Sequence, residues 1–194
     1  MANEKIEAAS RRIFIKTAAV ASASAAAVNS LGFAPSVFAA GDDTIRVGLI
    51  GCGGRGTGAA SQALASESRV KLVSMGDVFE DRLQSSLKSL KSIEGMEHKV
   101  EVPVDKQYVG FDAYKKVLAS GVDVVLLTTP PHFRPMHMQA AVEAGKHVFA
   151  EKPCAVDAPG VHSVLRTCEE AKKKGLAVVS GLCLRYHAPY REAI

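Results

Sequence analysis

The 194-residue chain contains no tryptophan, and aromatic residues make up only 6% of it. No stretch interleaves basic residues with aromatics, and the net charge is only +4. Those shortages exclude a nucleic-acid partner, which needs a dense basic face and stacking rings. Long hydrophobic runs are missing too. The mildly apolar stretch from Thr17 to Val28 is rich in Ala and Ser, too short and too weak for a membrane span. The four cysteines (Cys52, Cys154, Cys168, Cys183) have no C-x-x-C spacing. The six histidines form no metal pattern, and His132 and His137 stand five apart, the wrong interval for one helix face. No metal is expected, no Ser/His/Asp nucleophile set is visible, and no internal repeat appears.

What is present begins with a leader. Residues 10–16 read SRRIFIK, a paired arginine before an apolar residue and a nearby lysine. This resembles a twin-arginine export signal, with small residues at Ala39 and Ala40 suited to signal peptidase. Residues 1–40 are therefore expected to be a targeting segment, and the protein to be periplasmic or otherwise exported, already folded. Export permits disulfides, yet each Cys lies in or beside a strand or helix core position, so buried free thiols are expected.

The mature chain is organised around IRVGLIGCGGRGTG, residues 45–58. Ile45, Val47, Leu49 and Ile50 read as a buried strand, and Gly51, Gly53 and Gly56 then fit G-x-G-x-x-G. In such a turn one glycine makes the bend, one admits a pyrophosphate against the backbone, and one lets helix and strand pack closely. A glycine-rich turn that holds nothing satisfies the same spacing. The first helix is expected over about Thr57 to Ser66 and the second strand over Val70 to Met75. Asp77 lies 21 positions after Gly56, where a carboxylate accepts hydrogen bonds from an adenosine ribose and favours NAD over NADP. It also suits the capping of the next helix. Arg82 nearby suits a 2′-phosphate, so NADP stays open.

Phe79, Leu83, Leu87 and Leu90 keep to one helix face. Residues 91–110 are irregular; Val100, Val102 and Val104 around Pro103 make at best an edge strand. Phe111, Tyr114 and Leu118 mark another helix, and Val122 to Leu127 is a strand expected to be buried on both faces. Pro135 opens a helix with Met138, Ala141 and Val142 inward. His147 to Ala150 is a fifth strand. Asp157 and Pro159 start a helix with Val161, Val164, Leu165, Cys168 and Ala171 at core spacing. Leu176 to Leu182 is a sixth strand. This alternation demands a parallel sheet covered on both faces, the doubly wound α/β arrangement of a Rossmann domain. Ligands then bind outside the carboxyl ends of the strands. The unusual chemistry falls in five loops there: 51–56, 77–82, 128–134, 151–154 and 183–187. Cys52 and Cys154 sit in two of them and are candidates for reaction with oxidants.

Four segments together, the glycine turn, Asp77, TTPPHFRPMH and AGKHVFAEKP, resemble the Gfo/Idh/MocA family of glucose–fructose oxidoreductase, inositol dehydrogenase and their relatives. The resemblance covers about residues 45–187. It implies NAD(P)-dependent hydride transfer on a sugar, polyol or related hydroxy compound. It places Gly51, Gly53 and Gly56 at the pyrophosphate, with Gly54 and Arg55 lining the loop, and Asp77 at the adenosine ribose. Thr129, Pro130 and Pro131 border the nicotinamide, with His132 and His137 near the same loop. Glu151 and Lys152 lie by the nicotinamide ribose, and Lys152 also reaches the reacting hydroxyl. An ammonium there stabilises a developing alkoxide or joins a proton relay; a strand-end Lys paired with Glu151 is the plainer alternative. Family members carry a second α+β domain that holds the substrate and makes homo-oligomer contacts. This chain stops near its expected start, so residues 41–187 are read as the Rossmann domain and 188–194 as the beginning of the second. An NAD-dependent glycosidase using transient oxidation, and a non-catalytic NAD-binding module, stand as alternatives.

Overall fold

Short β-branched runs broken by glycine turns and amphipathic segments give six strands. They are β1 (Ile45–Ile50), β2 (Val70–Asp77), β3 (Gln107–Val109), β4 (Val124–Leu127), β5 (His147–Ala150) and β6 (Val178–Ser180). The computed structural model describes residues 43–67 and 69–192; the expected leader, residues 1–40, lies outside them. The helices are α1 (Gly54–Ser66), α2 (Glu80–Lys91), α3 (Ala113–Ala119), α4 (Arg134–Glu143), α5 (Ala158–Lys173), α6 (Cys183–Tyr186) and α7 (Ala188–Glu192). No helix among the described residues is long and apolar enough to cross a membrane.

All strands join one parallel sheet in the order β3-β2-β1-β4-β5-β6. Alternation along β1 sends Val47 and Leu49 to one face, where Ala59, Ala60 and Leu64 of α1 and Leu83, Leu87 and Leu90 of α2 cover them. Ile50 faces the other side with Tyr114, Val117 and Leu118 of α3, Met138, Ala141 and Val142 of α4, and Ala171 of α5. Helix α3 comes unusually close to the sheet. A Cβ on Gly48 would stand 2.7 Å from a Val117 methyl, and one on Gly76 2.9 Å from the other. Burial of this kind contributes about 25 cal/mol per Å2 of apolar surface, so the two clusters dominate stability.

The chain runs outward from β1 to β3, then returns to place β4 on the other side of β1. The reversal opens a crevice at the carboxyl ends of β1 and β4. Register sets its rim: Ile50 pairs with Leu127, and Leu127 with Ala150. The Thr128 amide donates to Ile50 O at 2.9 Å, and the Glu151 amide to Leu127 O at 3.0 Å. Gly51, Thr128 and Glu151 therefore emerge side by side.

Several local expectations need correction. Helix α1 starts at Gly54 rather than Thr57, so the glycine turn is itself the first helical turn. The third strand is Gln107–Val109, not the Val100–Val104 patch; Val100 makes only an isolated bridge to Leu72, and Val104 is exposed. Strands β4 and β6 are shorter than the apolar runs that contain them. Phe79 and Phe111 precede their helices and are 63% and 70% exposed. Val161 and Leu165 face outward, while Thr167 and Ala171 are the buried residues of α5. All four thiols are free, but only Cys52 is buried; Cys183 is exposed on α6 because the last strand ends at Ser180.

Candidate functional site

A cleft of about 1130 Å3 opens at this rim, and all five loops reach it. Its lining includes Gly51, Gly53 and Arg55; Asp77, Val78, Phe79 and Arg82; Thr128 to Pro131, Phe133 and Arg134; Glu151 and Lys152; and Cys183. The turn at 51–56 and the tripeptide at 151–153 meet directly, since an Arg55 guanidinium nitrogen stands 2.6 Å from Glu151 Oε1.

The glycine turn is shaped by two contacts. Gly51 has φ of +97°, a left-handed conformation, and a Cβ there would lie 2.7 Å from the Thr129 nitrogen. At Gly56 a Cβ would lie 1.9 Å from Gly51 O, so only hydrogen lets α1 close on β1. Thr128 Oγ1 stands 2.6 Å from Gly51 O and clamps the turn from β4. Gly53 has open space beside it and lines the cleft. Helix α1 has no side-chain cap and no acidic residue in its first turn. By contrast, α5 is capped by Asp157, whose Oδ1 accepts from the Gly160 amide at 2.7 Å. The bare N-terminal amides of α1, at the positive end of its dipole, suit an anion.

Asp77 ends β2 with both carboxylate oxygens engaged: Oδ2 accepts from the Cys52 amide at 2.5 Å and Oδ1 from the Phe79 amide at 2.9 Å. It thus braces the glycine turn and starts the next loop while lining the cleft. Each oxygen retains a second lone pair for a hydroxyl donor. The Cys52 thiol is buried against Gly76 O, and burial, then the Asp77 charge, pushes its pKa up. A thiol so disfavoured as thiolate is inert, which removes Cys52 as an oxidant-sensitive group.

The β4 loop contains a residue that the sequence reading passed over. Arg134 is 1% exposed. Its guanidinium donates to Leu127 O at 2.7 Å and also to Thr129 O and Glu151 O, binding the ends of β4 and β5 together. Its position was legible in principle, since Arg134, Met138 and Ala141 fall on one helical face. His137 is 5% exposed, stacked on Tyr114 at 4.4 Å, with Nδ1 3.2 Å from Thr129 Oγ1. Burial, then the charge of Arg134, pushes its pKa down to about 4, so it stays neutral near pH 7. Of the residues expected here, Thr129, Pro130, Pro131 and His137 line the cleft. His132 does not: it is exposed and turned edge-on to Phe133 at 5.3 Å. Gly54 and Gly56 are also absent from the lining; Gly56 serves the close packing of α1 on β1, while Gly54 opens the helix with free space beside it.

Glu151 is 5% exposed and pairs with Arg55, not with Lys152. The Lys152 side chain lines the cleft, exposed, and no acceptor holds its ammonium among the described residues. That overturns the plainer alternative of a Glu151–Lys152 pair. The Lys152–Pro153 bond is cis. A glycine cradle, a bare helix start and the Asp77 carboxylate at the end of β2, around one cleft, fit a dinucleotide.

The family model described as an oxidoreductase family with an NAD-binding Rossmann fold matches residues 45–180. This chain belongs to the Gfo/Idh/MocA family. It is 32% identical over 152 residues to inositol 2-dehydrogenase 3 of Saccharopolyspora erythraea, covering 77% of this chain and 39% of that protein. It is 29% identical over 179 residues to a glycosyl hydrolase family 109 protein of Shewanella pealeana, covering 84% of this chain and 38% of that protein. Among solved structures, the 3-ketoreductase KijD10 of Actinomadura kijaniata, in complex with NADP, superposes with a TM-score of 0.59 at 26% identity, over 78% of this chain and 42% of that one. The chain thus spans about two fifths of the length of these Gfo/Idh/MocA relatives.

Proposed function

We propose that this chain is the cofactor-binding portion of an NAD(P)-dependent oxidoreductase. It moves a hydride between nicotinamide and a hydroxyl-bearing carbon of a sugar, polyol or related compound. One observation carries the reading: a bare helix start and an unpaired lysine converge on a single cleft. Gly51, Gly53 and Gly56 would shape the turn at the pyrophosphate with Arg55 lining the loop, Asp77 would take the adenosine ribose, and Thr129, Pro130 and Pro131 the nicotinamide side. Glu151 and Lys152 would border the second ribose. A bound nicotinamide supplies the hydride acceptor or donor. Lys152 would face the reacting oxygen: as an ammonium it would stabilise negative charge there and give up a proton when the carbonyl is reduced, and as a neutral amine it would take the hydroxyl proton when the alcohol is oxidised. The substrate pocket, an acid–base partner and homo-oligomer contacts belong to a second domain, and the Arg11-Arg12 motif supports export by the twin-arginine route.

The 29% identity to a glycosyl hydrolase family 109 protein favours a second reading, glycoside cleavage through transient oxidation. Release of an aglycone without net NADH would select it. For the first reading, calorimetric titration of the chain is expected to show NAD binding below millimolar concentration. Absence of binding by both NAD and NADP overturns the cofactor assignment. In a version joined to its second domain, Lys152→Ala is expected to cut turnover by about 100-fold or more with NAD affinity kept; unchanged turnover removes Lys152 from the chemistry.

A further inference from the structure

Glu151 is a buried carboxylate in the wall of a cleft built for an anion. Three elements enclose it. From α1, Arg55 Nε donates to Oε1 at 2.7 Å, and a second guanidinium nitrogen stands 2.6 Å from the same oxygen. From its own strand end, the Lys152 amide donates to Oε2 at 3.3 Å. Beyond β6, Gly181 presses against it so closely that a Cβ would stand 2.8 Å from Oε1. The Arg55 side chain is about half exposed, and among the described residues its guanidinium is otherwise held by long contacts of 3.4 and 3.5 Å to Gln62. It sits in the first turn of α1, which has no side-chain cap, and it lines the cleft.

A negative charge fixed beside a diphosphate site repels its ligand, and burial makes the repulsion stronger than it would be in water. Something must cancel it. We propose that Arg55 shields the Glu151 carboxylate from the cofactor diphosphate, and that this shielding sets the affinity of the cleft for the dinucleotide. The pair also ties the glycine turn to the strand end that carries Lys152, which makes Arg55 a positioning residue for it. The inference rests on the cofactor reading above. It adds that Arg55 matters for the charge it cancels, more than for contact with the cofactor.

The test is a double-mutant cycle on NAD affinity, by calorimetry on the full chain with folding checked by circular dichroism. Arg55→Gln is expected to weaken NAD by at least about tenfold, because it strips the shield and leaves the carboxylate bare. Adding Glu151→Gln to that variant is expected to restore most of the loss, since no charge remains to be shielded. A role in packing predicts no such rescue, and direct contact with the diphosphate predicts a double variant that stays well below Glu151→Gln alone, whereas shielding predicts that these two bind NAD alike. A double variant as weak as Arg55→Gln, or Arg55→Gln within threefold of the native chain, overturns the proposal. If Arg55→Gln does not fold, Arg55→Lys carries the cycle: a smaller loss, again relieved by Glu151→Gln, is expected, and no relief overturns it. Native protein that fails to bind NAD sinks the cofactor reading, a result distinct from either.

Discussion

His137 shows how far a single side chain can be moved from its ordinary chemistry. Its ring lies between Tyr114 and Phe133, at 4.4 and 5.9 Å, with the Arg134 charge close by. Its pKa falls to about 4 on folding, against about 6.5 in the unfolded chain. Above pH 6.5 both states are neutral there, and the residue adds no pH dependence. Below it the unfolded chain binds a proton that the folded chain refuses. Stability is therefore expected to fall between pH 6.5 and 4, by up to about 3 kcal/mol from this group, and to level off below. Urea titrations across that range on the native chain and on His137→Gln check it: the variant should show the shallower slope.

At the scale of elements, Arg134 deserves comparison with a clasp between strands. Its hydrogen bonds to Thr129 O and Glu151 O serve carbonyls past the ends of β4 and β5, and it adds a second donor to Leu127 O, which already accepts from the Glu151 amide. Replacing it by Met keeps much of the volume but strands Thr129 O and Glu151 O. The expected cost is about 3 kcal/mol or more, read from the urea midpoint, and the Glu151–Lys152 segment should lose amide protection first. The order of strands and helices was legible in the sequence, since glycine turns and apolar runs announce buried parallel strands. What was not legible has physical reasons. Gln107–Val109 forms a strand by pairing with the edge of β2, a partner that three residues with only Tyr108 and Val109 as strand formers do not announce. Val161 and Leu165 carry helical spacing, yet α5 turns its Thr167–Ala171 face inward against the sheet side. In the site, the five loops were foreseen as one crevice. The partner of Glu151 and the burial of Arg134 were not, because a side chain's partner across the sheet depends on register, and register is written in no single segment.

For the whole molecule, the cleft couples ligand to fold. Gly51, Thr128 and Glu151 all hang from the same three strand ends, so a dinucleotide held there gains affinity only from the native sheet. At a free concentration one hundred times the dissociation constant, NAD is expected to add about 2.7 kcal/mol to stability. A rise in melting temperature that scales with the logarithm of NAD concentration checks this. NADP run in parallel reports the balance between Asp77, with both oxygens engaged by backbone amides, and Arg82 on the same cleft wall. No shift with either nucleotide would contradict the coupling.

The uniform direction of the six strands has a practical corollary. The returns after α3, α4 and α5, near Gly121, Gly145 and Gly175, all gather on the far side from the cleft. A fluorophore, an affinity tag or a surface tether placed at any of them leaves every ligand-facing loop untouched, so the molecule comes with a built-in handle side and a working side.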